Sequence, residues 1–253
     1  MPAGSLERLN ALVIGGSSGI GLAIAEGFQV AGARVAIAAR TPAKLDQAVE
    51  RLRSVDPRAT GYAADVNRRA ALDRLAEDIA RDLGALDVLV NCQGTTVIKP
   101  SLEVSEEEFD QVMDTNLKSV YFACTILGRA MLARGRGAIV NIASLAGHRG
   151  WPRACAYAMS KHGVLGLTRT LGAEWGPQGV RVNSISPGFF MTELNRERMP
   201  QARKDAALAR TPFARFGDLE ELVGAAVYLA SPAAGFVTGA DIAVDGGYLA
   251  SGI

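Results

Sequence analysis

Cysteine and histidine are both scarce in this sequence of 253 residues. The three cysteines, Cys92, Cys124 and Cys155, lie far apart without a C-x-x-C pair, so nothing indicates a disulfide framework or a cysteine zinc site. The two histidines, His148 and His162, form neither an H-E-x-x-H motif nor a histidine-rich site. We therefore expect no bound metal, and the scattered thiols fit the reducing cytoplasm.

An excess of charge of one sign is also absent, as is any long hydrophobic run. The 27 basic and 26 acidic side chains leave a net charge of +1, which argues against a nucleic-acid partner. The longest uncharged stretch, 222–240, contains Ser231-Pro232 and several glycines, which predicts a helix and a turn instead of a membrane span. No basic segment with a cleavage site precedes the first apolar run, so we expect no export signal.

Short aliphatic runs alternate with longer segments of helical period, which is typical of a doubly wound (Rossmann) α/β sandwich of three layers. The predicted strands, mostly parallel, number seven: Ala11–Ile14, Val35–Ala39, a weaker Thr60–Ala64, Asp87–Asn91, Ala138–Ile142, Val180–Ile185 and Ile242–Val244. The predicted helices include Ile20–Val30, Ala43–Leu52, Ala71–Leu83, Ser105–Leu132 and Tyr157–Glu174. No repeat or linker interrupts the alternation, so we expect one domain over residues 1–253.

Two capping boxes and one long connection complete this outline. Ser105-x-x-Glu108 and Asp218-x-x-Glu221 are typical of helix starts. The segment 187–212, after the sixth predicted strand, is longer than an ordinary connection. Ligands of such sheets bind beyond the carboxyl ends of the strands, so this segment is expected to cover a substrate there. The alternative is an extra surface helix.

A glycine-rich turn, Gly15-Gly16-Ser17-Ser18-Gly19-Ile20-Gly21, joins the first predicted strand to a helix. Its backbone N–H groups and the helix N-terminus are suited to a phosphate. A purely structural turn is the alternative. Residues 15–19 also match the G-x-S-x-G nucleophile elbow of serine hydrolases, with Ser17 as nucleophile. Against a hydrolase, the elbow falls on the first strand and no HGGG-type oxyanion segment exists.

The end of the second predicted strand indicates which dinucleotide fits. An NAD site carries an acidic residue there, whereas this chain reads Ile37-Ala38-Ala39-Arg40-Thr41. Ala39 leaves room for a 2′-phosphate, and the Arg40 guanidinium is suited to bind it. We therefore predict a preference for NADP(H), with NAD(H) possible. Arg40 as an ordinary solvated residue is the alternative.

Tyr157 and Lys161 stand four residues apart in a helical segment, so their side chains share one face. A phenol has a pKa near ~10, and lowering it by about three units takes roughly 4 kcal/mol, which a nearby ammonium helps to supply. Ser144 ends the fifth predicted strand, where its hydroxyl can hydrogen-bond a substrate oxygen. Read alone, Ser144 is equally explained as a serine that satisfies local backbone.

Together these residues make the chain, from Leu9 to Tyr248, similar to the single-domain branch of the short-chain dehydrogenase/reductase family. The motifs that carry the resemblance are the glycine turn, Asp65-Val66, Asn91-x-x-Gly94, Asn116, Ser144, Tyr157-x-x-x-Lys161, Pro187-Gly188-x-x-x-Thr192 and Asp245-Gly246-Gly247. Three residues depart from the family pattern: Ile14 replaces a threonine, and Cys92-Gln93 replaces Asn-Ala. We expect these departures to face one another and to repack together.

The resemblance implies hydride transfer between nicotinamide C4 and a carbonyl or secondary alcohol. Tyr157 is then the acid/base and Ser144 polarises the carbonyl. Lys161 lowers the pKa of Tyr157 and holds ribose hydroxyls, and Asn116 holds a water of the proton relay. The implied cofactor-binding residues are Gly15, Ser17, Ser18, Gly19, Ile20, Gly21, Arg40, Asp65, Val66, Asn91, Gly94, Tyr157, Lys161, Pro187, Gly188 and Thr192. The family also implies a homotetramer, which the apolar end Tyr248–Ile253 suits.

The substrate is the least determined part of the prediction. His148, Arg149, Arg153 and Lys99 form an expected basic rim that favours an anionic substrate, unless these charges face solvent or a partner subunit. Residues 187–195 and 210–217 are similar to gluconate 5-dehydrogenase-like and 2-deoxy-D-gluconate 3-dehydrogenase-like members. We therefore expect a sugar acid or a related polar oxo compound. A 3-oxoacyl-carrier-protein reductase and a non-catalytic dinucleotide sensor are the alternatives.

Overall fold

Seven parallel strands form one sheet in the computed structural model, which describes residues 4–192 and 199–251. Their order is β3-β2-β1-β4-β5-β6-β7, and all six pairings are parallel. The strands are β1 (Asn10–Ile14), β2 (Arg34–Ala39), β3 (Thr60–Ala63), β4 (Val88–Asn91), β5 (Gly137–Ile142), β6 (Val180–Pro187) and β7 (Asp241–Val244). The doubly wound Rossmann fold predicted from the sequence is confirmed, the weak third strand included.

The first strand shows why the apolar runs form this sheet. Ala11 to Ile14 are all buried, because both faces of the sheet are covered. Ala11 and Val13 pack into one core, whereas Leu12 and Ile14 pack into another on the opposite face. A continuous apolar run is therefore stable only between two helical layers.

Helices on the two faces supply those layers. One core is lined by α1 (Gly19–Val30), α2 (Pro42–Arg53) and α8 (Leu219–Ala230). The other is lined by α3 (Arg69–Asp82), α5 (Ser119–Arg134) and α6 (Cys155–Trp175). The described helices also include α4 (Glu106–Met113) and α7 (Gln201–Arg210). Within the residues described, no helix is long and apolar enough to cross a membrane.

The predicted helix over 105–132 is interrupted in the structure. Its start is as predicted, because the Ser105 N–H donates to Glu108 Oε2 (3.0 Å) and the Glu108 N–H donates to Ser105 Oγ (3.3 Å). A π-helical turn at Asp114–Lys118 then separates α4 from α5. Such turns often occur at functional sites, and this one carries Asn116.

The direction in which successive strands are added to the sheet reverses between β1 and β4. Strands β2 and β3 extend to one side of β1, and β4 to β7 extend to the other. A ligand crevice is expected beyond the carboxyl ends of the strands at this point. The connection after β6, expected to cover the crevice, is described through Thr192 and again from Met199, and residues 193–198 lie outside the described part.

Candidate active site

A groove of about 890 Å³ opens beyond the carboxyl ends of β1, β2, β4, β5 and β6. Most of the predicted site residues line it, namely Gly15, Ser17, Ser18, Ile20, Gly21, Arg40, Asp65, Val66, Gly94, Ser144, Tyr157, Lys161, Pro187, Gly188 and Thr192. Gly19, Asn91 and Asn116 were predicted as well but do not line it. The fold therefore brings together residues that are far apart in sequence.

The glycine turn lies tightly against the loop that follows β4. Gly15 has φ +78°, and a Cβ there would lie 2.9 Å from the backbone of Cys92. A Cβ on Gly21 would overlap the carbonyl of Gly15. Helix α1 begins at Gly19, so its first N–H groups and its positive dipole end face this turn. Close backbone packing therefore requires glycine at both positions, and the N–H groups at the start of α1 give the turn the polarity that a phosphate needs.

Basic side chains flank the groove at the end of β2. Arg40 is exposed, and in the described part of the chain its side chain makes no ion pair or hydrogen bond. Lys44 lines the same region, and Asp65 is the one acidic residue among the described lining residues. The end of the groove next to β2 is therefore suited to a ligand that carries an additional phosphate group on its ribose.

Ser144 and Tyr157 meet at the other end of the groove. Ser144 follows β5, and Tyr157 lies in the first turn of α6. Burial raises the pKa of Tyr157, opposed by its hydrogen bond with Ser144 and by the nearby charge of Arg203. The Ser144 Oγ also accepts a hydrogen bond from the Ala146 N–H at 3.1 Å. This contact fixes the Ser144 hydroxyl at the carboxyl end of β5.

Lys161 is buried one helical turn beyond Tyr157. Its Nζ donates to the Ile142 carbonyl at 2.7 Å and lies 5.8 Å from the centre of the Tyr157 ring. Burial lowers the pKa of Lys161 to about 8. The expected lowering of the Tyr157 pKa by Lys161 stays a prediction.

Asn116 is fully buried and uses its whole amide on protein groups. Its Oδ1 accepts from the Thr95 N–H (2.7 Å), and its Nδ2 donates to the Thr95 carbonyl (2.9 Å) and to Ser160 Oγ (3.1 Å). Ser160 in turn donates to the Tyr157 carbonyl at 2.7 Å. The amide thus ties the loop after β4 to the helix that carries Tyr157 and Lys161. Its expected role in holding a water remains a prediction.

Asn91 ends β4 with its side chain buried away from the groove. Its Nδ2 donates to Asn141 Oδ1 (2.9 Å) and to Cys124 Sγ (3.3 Å). Its neighbour Cys92 lines the groove, and its N–H donates to the Ile14 carbonyl at 2.9 Å. The unusual residues Ile14 and Cys92 are therefore adjacent, as expected. Burial raises the pKa of the Cys92 thiol to about 12.

Comparison with known proteins identifies the family. The family model described as enoyl-(acyl carrier protein) reductase matches residues 14–249. D-threitol dehydrogenase of Mycolicibacterium smegmatis is 39% identical over 96% of this chain and 94% of its own length. Gluconate 5-dehydrogenase of Gluconobacter oxydans is 38% identical over 98% and 97%. The chain belongs to the short-chain dehydrogenase/reductase family. It is therefore an oxidoreductase, and the resemblance seen in the sequence is confirmed.

A solved structure of the family supports the fold in detail. The gluconate 5-dehydrogenase of Burkholderia cenocepacia, in complex with NADP and tartrate, superposes with a TM-score of 0.94. It is 34% identical, and the alignment covers 99% of this chain and 98% of that one. The whole described architecture is thus that of a short-chain dehydrogenase/reductase.

The expected basic rim is wrong, because the side chains assigned to it do not line the groove in the described structure. Lys99 pairs with Glu108 (2.6 Å), His148 contacts Asp241 (2.9 Å), and Arg149 donates to the Leu249 carbonyl (2.7 Å). None of these residues, nor Arg153, is among the described lining residues of the groove. Their partners lie on distant elements that the local sequence does not reveal.

Trp151, Phe189 and Arg203 are among the groove residues of this dehydrogenase that were not predicted as site residues. Trp151 and Phe189 stack with ring centroids 5.9 Å apart, and both line the groove. Arg203 of α7 lines it too and is half-buried. The only sequence signal for Arg203 was its place in the covering segment 187–212.

The hydrolase alternative finds no support in this geometry. Ser17 lines the groove, but neither histidine does so in the described structure. His148 contacts Ser186 and Asp241, and His162 contacts the Ala158 carbonyl. Ser17 therefore lacks the histidine base that a nucleophilic serine needs.

Proposed function

We propose that this protein is an NADP(H)-preferring dehydrogenase that interconverts a secondary alcohol and a ketone on a sugar acid or a related polar oxo compound. The observation that carries the proposal is the meeting of Ser144, Tyr157 and Lys161 in one groove with the glycine turn. A non-catalytic dinucleotide sensor would need the glycine turn but not the hydroxyl groups of Ser144 and Tyr157.

The residues present fit the cofactor. The glycine turn and the first N–H groups of α1 lie at the groove and are suited to a pyrophosphate, and Arg40 with Lys44 offers two cations to a 2′-phosphate. The related Burkholderia enzyme is in complex with NADP. When bound, the nicotinamide supplies the hydride donor or acceptor, and in its oxidised form a positive charge that favours a phenolate. NAD(H) remains a possible second cofactor.

The protein groups manage the oxygen and its proton. Ser144 donates a hydrogen bond to the substrate oxygen, and Tyr157 gives it a proton in reduction and takes one in oxidation. Lys161 binds ribose hydroxyls and places a polar group at the base of the groove. Asn116 holds the loop at Thr95 against α6, which fixes the distance between the cofactor groove and Tyr157. The balance is one proton and one hydride per turnover.

Several relatives are named for sugar acids, whereas D-threitol dehydrogenase is named for a neutral polyol and others are named for acyl-carrier-protein substrates. Gluconate 5-dehydrogenase acts on an aldonate, and the Burkholderia enzyme is in complex with tartrate, a hydroxy acid. The 3-oxoacyl-[acyl-carrier-protein] reductase of Thermotoga maritima, in contrast, is 34% identical over 96% of this chain. A 3-oxoacyl-carrier-protein reductase is therefore the second candidate.

A substrate screen tests these proposals. Aldonates and keto-aldonates of four to six carbons are compared with 3-oxoacyl thioesters, using NADP(H) and NAD(H) in parallel. We expect turnover of the sugar acids with NADP(H) and at least about tenfold lower kcat/KM for thioesters. Exclusive turnover of thioesters would replace the proposal by the second candidate, and no turnover of either class would overturn both.

Assembly, location and domain organisation are parts of the same proposal. We infer a homotetramer in the cytoplasm, built from a single domain over residues 1–253 with its covering segment at 187–212. Light scattering of the purified protein tests the tetramer. A monomeric mass would contradict it.

A further inference from the structure

Arg203 has no acidic partner among the described residues and lies at the end of the groove where we expect the substrate to bind. It lies on α7, is half-buried, and lines the groove together with Ser144 and Tyr157. Among the described residues, no acidic side chain pairs with its guanidinium. A half-buried charge is costly to leave unpaired, so a ligand that neutralises it is stabilised.

The other groove cations cannot serve this end of the site. Arg40 and Lys44 lie beyond β2, and three strand spacings of about 4.8 Å place them roughly 14 Å from the end of β5 and Ser144. Lys161 donates to the Ile142 carbonyl and is proposed above to bind the ribose hydroxyls of the cofactor. Asp65, the acidic residue among the described lining residues, follows β3, farther still from Ser144.

The reacting end also carries an aromatic wall. Trp151 and Phe189 stack at 5.9 Å, and Tyr248 packs behind them at 6.2 and 5.7 Å. Such a wall contacts the C–H faces of a carbon chain and excludes water, which strengthens a charge pair beside it. Arg203 is close enough to Tyr157 for its charge to act on the phenol. A ligand a few carbons long can therefore reach both groups.

We propose that the Arg203 guanidinium binds the carboxylate of the substrate and makes this enzyme selective for sugar acids over neutral polyols. The inference rests on the proposed dehydrogenase function and adds the residue that discriminates between the two substrate classes. Arg203 acts on binding and takes no part in proton transfer.

The experiment compares matched substrates in matched variants. D-gluconate and D-glucitol have the same chain length and differ in the terminal carboxylate. Both are oxidised with NADP⁺ by the wild type, Arg203→Met, Arg203→Lys and the control Arg210→Met, which alters an exposed residue of the same helix. The dissociation constant of NADPH is measured by fluorescence in each variant.

We expect Arg203→Met to lower kcat/KM for gluconate about 100-fold, mainly through KM, because a charge-assisted contact remote from the reacting carbon is lost. The KM for glucitol and the NADPH dissociation constant stay within about twofold, and any change in kcat from the lost charge near Tyr157 is equal for the two substrates. Arg203→Lys restores part of the loss, and Arg210→Met has no effect.

Four results would overturn the inference. Equal losses for gluconate and glucitol would make Arg203 a structural residue of the covering segment. A weakened NADPH affinity would make it a cofactor ligand. A wild type that oxidises glucitol as well as gluconate would remove the selectivity while leaving the dehydrogenase function intact, whereas a wild type inactive on both, and on the wider sugar-acid screen, would overturn the proposed function as well.

Discussion

The side-chain amide of Asn116 exchanges two hydrogen bonds with the backbone of Thr95, at 2.7 and 2.9 Å. The two hydrogen bonds resemble those between neighbouring β-strands. They attach the loop after β4 to the π-helical turn. The amide itself is fully buried, so its removal leaves these partners without the hydrogen bonds it makes.

Removing the Asn116 amide is expected to destabilise the protein. Asn116→Leu leaves the Thr95 N–H and carbonyl without these partners, so the free energy of unfolding falls by about 3 kcal/mol in urea titrations. The control is Asn67→Leu, whose amide donates one half-buried hydrogen bond to Thr115 (2.9 Å) and should cost about 1 kcal/mol or less. Equal losses in the two variants would contradict the special role of Asn116.

The buried amine of Lys161 predicts a pH-dependent stability. Its folded pKa of about 8 lies below the usual 10.5, so the unfolded chain binds more protons between these values and stability rises with pH there. The gain from pH 7 to 10 is about 2 kcal/mol in the wild type relative to Lys161→Met. Urea unfolding at both pH values measures this double difference, and a difference near zero or of opposite sign contradicts the burial of the amine.

Arg40 is expected to set the preference for the phosphorylated cofactor. Arg40→Ala removes the guanidinium beside the expected 2′-phosphate, so kcat/KM with NADPH falls about 30-fold while that with NADH is unchanged. The control Arg51→Ala, which alters a residue of the following helix α2 that is paired with Glu26, changes neither value. Similar kcat/KM for both cofactors, unaffected by Arg40→Ala, would exclude this assignment.

Thiol reactivity should separate the three cysteines. Burial raises the pKa values of Cys92 and Cys124 to about 12, whereas Cys155 is exposed. At pH 8, iodoacetamide is therefore expected to label Cys155 at least about 100-fold faster than the other two, as followed by peptide mass spectrometry. In urea all three react alike. Rapid labelling of Cys92, blocked by NADP⁺, would make the groove thiol accessible and overturn this expectation.

The sequence alone predicted the position of a residue in the fold wherever that position depends on its near neighbours in the chain. The strands were found because a sheet covered on both faces demands apolar residues in succession, as in Ala11 to Ile14. Ser105 was found because its capping partner is three residues away. The positions of Ser144 and Tyr157 followed from the ends of a strand and a helix.

Contacts between distant elements were beyond such reasoning. His148 pairs with Asp241, 93 residues away, and Arg149 with Leu249, 100 residues away, so their charges do not reach the groove. The π-helical turn at Asp114–Lys118 leaves the apolar period of 105–132 nearly unchanged, so the pattern predicts one continuous helix. Arg203 faces the groove only because of how α7 packs, which the pattern of α7 does not encode.

The central claim is that Tyr157 transfers the substrate proton, and Tyr157→Phe tests it most directly. The variant keeps the ring that packs in the groove and removes only the hydroxyl beside Ser144. We predict that kcat for the sugar acid falls about 10³-fold while the NADPH dissociation constant stays within about threefold. Turnover within tenfold of the wild type, with cofactor binding intact, would contradict the account.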